Sequence, residues 1–372
     1  MGRAWYNHAL LLLAALLFLS VFTTHAQIHY VSKSGSNTPP YLSWNTAAHK
    51  IQDAINASNR GDTVLIGVGN YYDSIKVDKR LTIIGERVDE TIIRGDSVLG
   101  WQTFMVYDTC ALFGITVITR SDSMSTNSSY GISSYKPIQI NNCIIKNAHH
   151  GINVLSFGFE VSNVVMQNVI TGLKCNFQSS VSVGRLSNAY IAVREVYGVP
   201  QWSGEGATWV DYGTFHIDHL TTLVMNRGTA GVFNNSTVRS GSMVNSSITG
   251  FEAYGLLASS HQPYGYRVEN CVLHGAYSGI AMVMDSLSVH NTILYNNGSG
   301  IYVTKKFTGD YNLYYNNARI DSGAGFYQGE HDIFLDPMFV NIPWPPPYDY
   351  DYHLQYGSPA IDAGAPWLLD AD

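Results

Sequence analysis

An all-β solenoid of stacked parallel coils is the fold class this sequence predicts, and three observations predict it. Asparagine recurs at a spacing of twenty-one residues, at Asn142 and Asn163 and again at Asn270, Asn291 and Asn312. Short β-branched segments punctuated by Gly and Asn accompany these positions, as in the stretch from Ser288 to Val303, SVHNTILYNNGSGIYV. Charged residues make up only 13% of the chain while 34 glycines and 25 tyrosines are present, a balance suited to strands and tight turns rather than helices. Repeats of this length cannot bury an apolar face alone and do so by stacking on their neighbours. A solenoid lengthens without dividing its core, so 372 residues are read as one long domain.

In chain order, Met1 to Ala26 carries Arg3, an apolar run from Leu10 to Phe22 and Thr24-His25-Ala26 before a cut, the pattern of a secretory signal. The apolar run is too short to span a membrane and no later segment is longer. The mature chain is expected to start at Gln27, with residues 27–335 forming the solenoid and 336–372 a closing segment. Without Arg3 it holds 20 basic and 28 acidic residues, a net charge of −8 that disfavours a nucleic-acid partner. A monomer, secreted or held at the cell surface, is expected.

Ile28 to Ser32 reads as an opening strand and Pro39-Pro40 breaks it. A capping helix is expected from about Asn45 to Ser58, with Asn45 or Thr46 at its start, Ala47, Ala48, Ile51, Ala54 and Ile55 on its apolar stripe, and Gly61 at its exit. A solenoid exposes apolar side chains and strand edges at its ends, which this helix would cover. Strands follow at Thr63–Ile66, Ile75–Val77, Leu81–Ile84, Thr91–Ile93 and Gly114–Ile118, with Gly69-Asn70 read as punctuation. Residues 121–135, rich in Ser, Asn and Thr, read as a protruding loop.

The helix followed by Gly61-Asp62-Thr63-Val64, Gly69-Asn70-Tyr71-Tyr72 and Leu81-Thr82-Ile83-Ile84-Gly85 resembles the start of secreted right-handed parallel β-helix proteins of the pectin-lyase-like group. At the other end, Asp336-Pro337-Met338-Phe339-Val340 and Gly357-Ser358-Pro359-Ala360-Ile361-Asp362-Ala363-Gly364 resemble the closing signature of many bacterial β-helix repeat proteins. In that group further residues follow, so an unusually short ending or a fragment is expected at Asp372.

Within the repeats, alternation assigns faces. In Phe159 to Asn163, Tyr266 to Asn270 and Leu287 to Asn291 the apolar residues turn inward, while Glu160, Ser162, Arg267, Glu269, Ser288 and His290 turn outward. The recurrent Asn is read as a ladder of amides bonded from coil to coil. Gly151-Ile152, Gly172-Leu173, Gly255-Leu256, Gly279-Ile280 and Gly300-Ile301 mark tight turns into the next strand. Cys143 and Cys271 hold equivalent places about six coils apart, roughly 29 Å at ~4.8 Å per strand, too far for a disulfide. Buried thiols are expected there, and the sequence leaves a Cys110–Cys175 bond open.

Candidate chemistry falls where the period breaks. The segment from Tyr197 to Tyr212 reads as a lateral loop on which Trp202, Glu205, Trp209 and Asp211 would stack on and hydrogen-bond to sugar. Phe215-His216-Ile217-Asp218-His219 fits the alternation of an outward strand, and Ile217, Asp218 and His219 resemble the last three members of a pectate lyase motif. His216 stands where that motif has Trp. Galacturonan hydrolases of the fold carry Asn-Thr-Asp, Asp-Asp, Gly-His-Gly and Arg-Ile-Lys strings, and none occurs in this chain. A lyase needs a base and a cation beside the uronate carboxylate, which His216, Asp218, Arg267 and Glu269 would supply, with calcium as the cofactor the resemblance implies. His149-His150 reads as a turn, and Asp349-Tyr350-Asp351 as a solvated loop. Two functions are therefore expected in order: a noncatalytic polysaccharide-binding or surface-structural protein, then a polysaccharide lyase acting on a uronate polymer.

Overall fold

A computed structural model describes residues 26–95, 102–119, 129–155, 158–169, 171–175, 183–194, 206–225, 228–244, 247–249, 251–259, 266–283, 286–322, 327–342 and 351–367. The signal segment lies outside these residues, apart from its last member. Strands in one continuous parallel sheet system wind into a right-handed parallel β-helix. Each coil has three faces. In one coil Ser286–His290 forms face A, Ile293–Tyr295 face B and Ser299–Val303 face C. Asn291 (φ 51°) and Asn296 (φ 60°) make the bends between them. Asparagine suits these bends because its short polar side chain lowers the cost of the left-handed region.

The core is built from alternation on all three faces: Val268 and Val289 from A, Leu273 and Leu294 from B, Ile280 and Ile301 from C, each fully buried. Apolar rows run along the axis because these strands pair in register with their counterparts in the next coil.

The capping helix is shorter than the sequence suggested, Ile51–Ala57. Ala48 instead continues the sheet, accepting from Ser32 N–H (2.9 Å) and donating to the Tyr30 carbonyl (2.9 Å). Ser43 and Thr46 cap a separate short turn, Trp44–Thr46. The helix nevertheless seals the first coil with Ile51, Ala54 and Ile55. Beneath it, buried Asp62 meets His29 Nε2 at 3.0 Å and accepts the N–H groups of Gln27 and Asn59. Burial pushes the Asp62 carboxyl up, but these backbone and imidazole bonds together hold it below the usual carboxylate range.

Other expectations shift for physical reasons. Gly69–Tyr72 is a strand paired with Thr91–Arg94, and Tyr130–Ser134, placed in the protruding loop by the sequence reading, is a face C strand. The glycines before Ile152, Ile280 and Ile301 sit within strands and do not make the turns. They are required by close approach: a Cβ on Gly151 would lie 2.7 Å from the Gly172 carbonyl oxygen and 2.9 Å from Met166 Sδ. His150 also belongs to a strand, where burial pushes its imidazole down to about 3 and its ring stacks on Tyr130 at 4.9 Å.

The coils are not uniform. Register partners Ile144, Val165, Tyr190, Thr221, Ser247, Val272, Ile293 and Leu313 are separated by 21, 25, 31, 26, 25, 21 and 20 residues. Cys143 and Cys271 are accordingly five rungs apart, not about six, and all four cysteines are buried free thiols. Burial pushes the Cys110 thiol up to about 12 and the Cys143 thiol up to about 11. The final 20-residue step places Tyr311 (φ 60°), not Asn312, at the bend equivalent to Asn291. Asn312 is buried one position later, donating to the Val289 carbonyl and accepting from Thr292 N–H.

The closing segment doubles back along the outside of the coil. Phe339–Asn341 pairs antiparallel with Asp351–Leu354. Phe339 and Tyr352 pack against Tyr295 and His274, and Ala365 N–H donates to Asn291 Oδ1 at 2.8 Å. Asn291 thus joins three tasks: it bends the chain, donates to Asn270 Oδ1 (3.1 Å) and tethers the closing segment. Asn291→Ala should destabilise by about 2–3 kcal/mol through left-handed strain plus two lost bonds, and Asn291→Gly by less because glycine tolerates the bend. Chemical denaturation of both variants measures the difference; equal losses would show that the backbone strain is negligible.

Candidate functional site

Face A carries two columns that run the length of the described coils. The first joins Ile28, Thr63, Thr82, Ala111, Gln139, Glu160, Arg185, His216, Ser242, Arg267, Ser288 and Thr308 by successive register pairs. The second, two residues further along each strand, includes Asn141, Ser162, Ser187, Asp218, Val244, Glu269, His290 and Asp310. Stacking in register turns a period-two strand pattern into straight outer rows.

The four residues singled out for chemistry fall on these columns. His216 and Arg267 share the first with Ser242 between them, and Asp218 and Glu269 share the second with Val244 between them. Two rungs separate the pairs, roughly 10 Å at ~4.8 Å each. Arg267 Nη1 lies 3.2 Å from Glu269 Oε2, the Arg exposed and the Glu side chain only 10% exposed. Glu269, read from the alternation as an outward residue, is covered and engaged by the neighbouring guanidinium.

At the far end of the second column Asp310 accepts from the N–H groups of Tyr311 and His331 and contacts His331 Nδ1 at 2.8 Å. Burial pushes the Asp310 carboxyl up, but the His331 bonds outweigh it and hold the group low, while the same pair raises His331. His290, next in register, has a buried Nδ1 without a hydrogen-bond partner.

The loop expected to wall this face is placed otherwise. Trp209 and Asp211 lie in the long strand Gly206–Met225, and Trp209 pairs with Lys174 and Phe233 on face C. Trp202 and Glu205 lie outside the described residues, as do Asp349 and Tyr350. Face C and face A are successive sides of one coil, so Trp209 belongs to a different face from His216. Among the described residues, no group of three or more His, Cys, Asp or Glu side chains is arranged to hold a metal ion.

Sequence reasoning missed a groove of about 530 Å³ on face A, spanning the third to sixth members of the first column. Its floor is Thr82, Ala111, Gln139 and Glu160, four consecutive members of the first column. Arg80 stands at one end, and Thr109 and Pro137, just ahead of their face A strands, form the rim with Gly158, the first residue of its strand. Alternation marked Glu160 as outward, but the depth arises from the small Thr82 and Ala111, which no single repeat reveals.

These coils and bends define a right-handed parallel β-helix. Among solved structures, the chain is similar to pectate lyase Pel9A (14% identity, 93% of each chain, TM-score 0.47). It is also similar to the catalytic domain of GH87 alpha-1,3-glucanase in complex with nigerose (11% identity, 85% of this chain and 69% of that one, TM-score 0.43). A third is the mannuronan C-5 epimerase AlgE6 A-module of Azotobacter vinelandii (11% identity, 77% of this chain and 94% of that one, TM-score 0.44). No protein-family model and no curated protein matches the chain. Among the described residues, no helix is long and apolar enough to cross a membrane.

Proposed function

We propose that this is an exported, noncatalytic β-helix protein that binds an extended polysaccharide along face A. The column of register partners from Thr63 to Thr308, on which Gln139, Glu160, Arg267 and Thr308 are exposed, carries this reading. A linear polymer lying along the axis would meet an equivalent side chain at every rung, ~4.8 Å apart, and so gain many weak contacts from a rigid, preorganised surface. The Arg267–Glu269 pair favours binding over elimination. A lyase needs one group free to take a proton and a cation free to neutralise the uronate, whereas here acid and cation neutralise each other.

The mature chain should retain at least one extended polysaccharide, and incubated with pectate, alginate and glycosaminoglycans in the presence of calcium it should not generate the ultraviolet absorbance of unsaturated ends. Appearance of that absorbance, and its loss in His216→Ala, Asp218→Ala, Arg267→Ala or Glu269→Ala, would establish the lyase reading instead. Export is expected with cleavage ahead of Gln27, which N-terminal sequencing of protein recovered from the medium checks; an intact Met1 in that fraction would refute it.

A further inference from the structure

We propose that the groove between Arg80 and Glu160 is the anchoring subsite of this surface and that it takes an uncharged, hydroxyl-rich chain, a short stretch of neutral sugars. The proposal rests on the polysaccharide-binding reading and narrows it to a place and a ligand class. A volume of about 530 Å³ lies within the range of small-ligand clefts. Thr82 to Glu160 spans three rungs, roughly 14 Å at ~4.8 Å each, so the ligand is elongated and parallel to the axis.

The lining chemistry selects the class. Among the described residues, the side chains of Arg80, Thr82, Thr109, Gln139 and Glu160 have no hydrogen-bond or ion-pair partner, in contrast to the Arg267–Glu269 pair further along the same face. Thr82 and Thr109 each offer a hydroxyl that donates and accepts, and Gln139 an amide that does both, the functionality that pairs with sugar hydroxyls. Formal charge is one cation and one anion at opposite ends. Arg60, beside the groove residue Gly61, is already paired with Asp108. A polymer with a carboxylate on each unit would bring one towards Glu160 and find a single cation along the floor. A neutral chain meets no like charge and gives up no ionic hydration.

The test uses the full mature chain and titrates it with soluble xylan, glucomannan, mixed-linkage glucan and dextran, and with polygalacturonate and alginate, by calorimetry and affinity electrophoresis. Ala111 is on the groove floor and partly exposed, so Ala111→Phe fills the groove from outside the core. At least one neutral polymer should bind, about tenfold or more tighter than either anionic polymer, and Ala111→Phe should weaken it by about tenfold. Gln139→Ala, which leaves packing intact, should weaken it by about threefold. Tyr356→Ala, fully exposed in the closing segment, should leave it unchanged. Neutral binding that survives both Ala111→Phe and Gln139→Ala overturns the groove assignment, and if His216→Ala or Arg267→Ala abolishes that binding, the broader face A reading still stands. Preference for an anionic polymer, lost in Arg80→Ala, overturns the ligand class. Silence with all six polymers removes both readings together.

Discussion

Asn297→Ala should destabilise this protein by about 3–5 kcal/mol, far more than the same change at its neighbour Asn296. Asn297 is 2% exposed and sits just inside the bend between faces B and C. Its amide donates to the Leu273 carbonyl and to Asn317 Oδ1, both at 3.0 Å, and its own Oδ1 accepts from Ala276 N–H at 3.0 Å. Truncation takes this partner from the buried Leu273 carbonyl and from the Ala276 N–H in the preceding coil, while Asn317 Oδ1 keeps only the Asn297 backbone N–H. Asn296 is exposed and accepts only from Asn316, so Asn296→Ala should cost about 1–2 kcal/mol, mostly left-handed strain. Denaturant unfolding separates the two, and faster hydrogen exchange at the Ala276 amide in Asn297→Ala alone would localise the damage. Equal losses in the two variants would show that the inner amide ladder is not a stabilising network.

Acidification should weaken the closing segment well before carboxylates titrate. His274 is buried between Tyr295 and Tyr352, with Nδ1 3.0 Å from the Tyr352 hydroxyl, and burial pushes its imidazole down to about 4. Between its ordinary value near 6.5 and about 4, the unfolded chain binds a proton that the folded chain refuses. Stability therefore falls as pH falls through that window, and the full contribution of this one side chain is about 3 kcal/mol. His150, held down to about 3 by burial and the nearby charges of His149 and Lys174, extends the loss to lower pH. Asp62 and Asp310, both held low, add theirs below the ordinary carboxylate range. In His274→Phe the aromatic packing is kept and the titration removed. Its melting temperature should be lower at neutral pH, where the Tyr352 bond is missing, but should decline less between pH 6.5 and pH 4. A decline as steep as that of the natural chain would exclude His274 as its source.

The alternation that identified Arg267 and Glu269 as outer residues is a local property, and it held because a strand has one geometry. What each outer residue does is a property of its neighbours. Glu269 is covered and engaged by a guanidinium from its own strand, while Glu160, on an identical pattern, is exposed at the end of a groove. The same limit explains Trp209: its neighbours in the sequence suggested a loop, yet its strand is paired with coils on either side on face C.

By itself the sequence determined the solenoid, the coil-to-coil Asn270–Asn291 bond, the inward and outward alternation and the sealing of the first coil by Ile51, Ala54 and Ile55. All of these follow from periodicity, and periodicity survives when the chain is read in one dimension. Tertiary structure alone decided that Tyr311 takes the last asparagine bend, that the closing segment returns to Asn291, and that Thr82, Ala111, Gln139 and Glu160 share one floor. These depend on coil lengths that vary from 19 to 35 residues between successive members of the first column, so a side chain's neighbour across the rung is set by how far each intervening coil has bulged. Register, the alignment of coils that stack ~4.8 Å apart, converts a repeat into a surface, and only the folded chain records it.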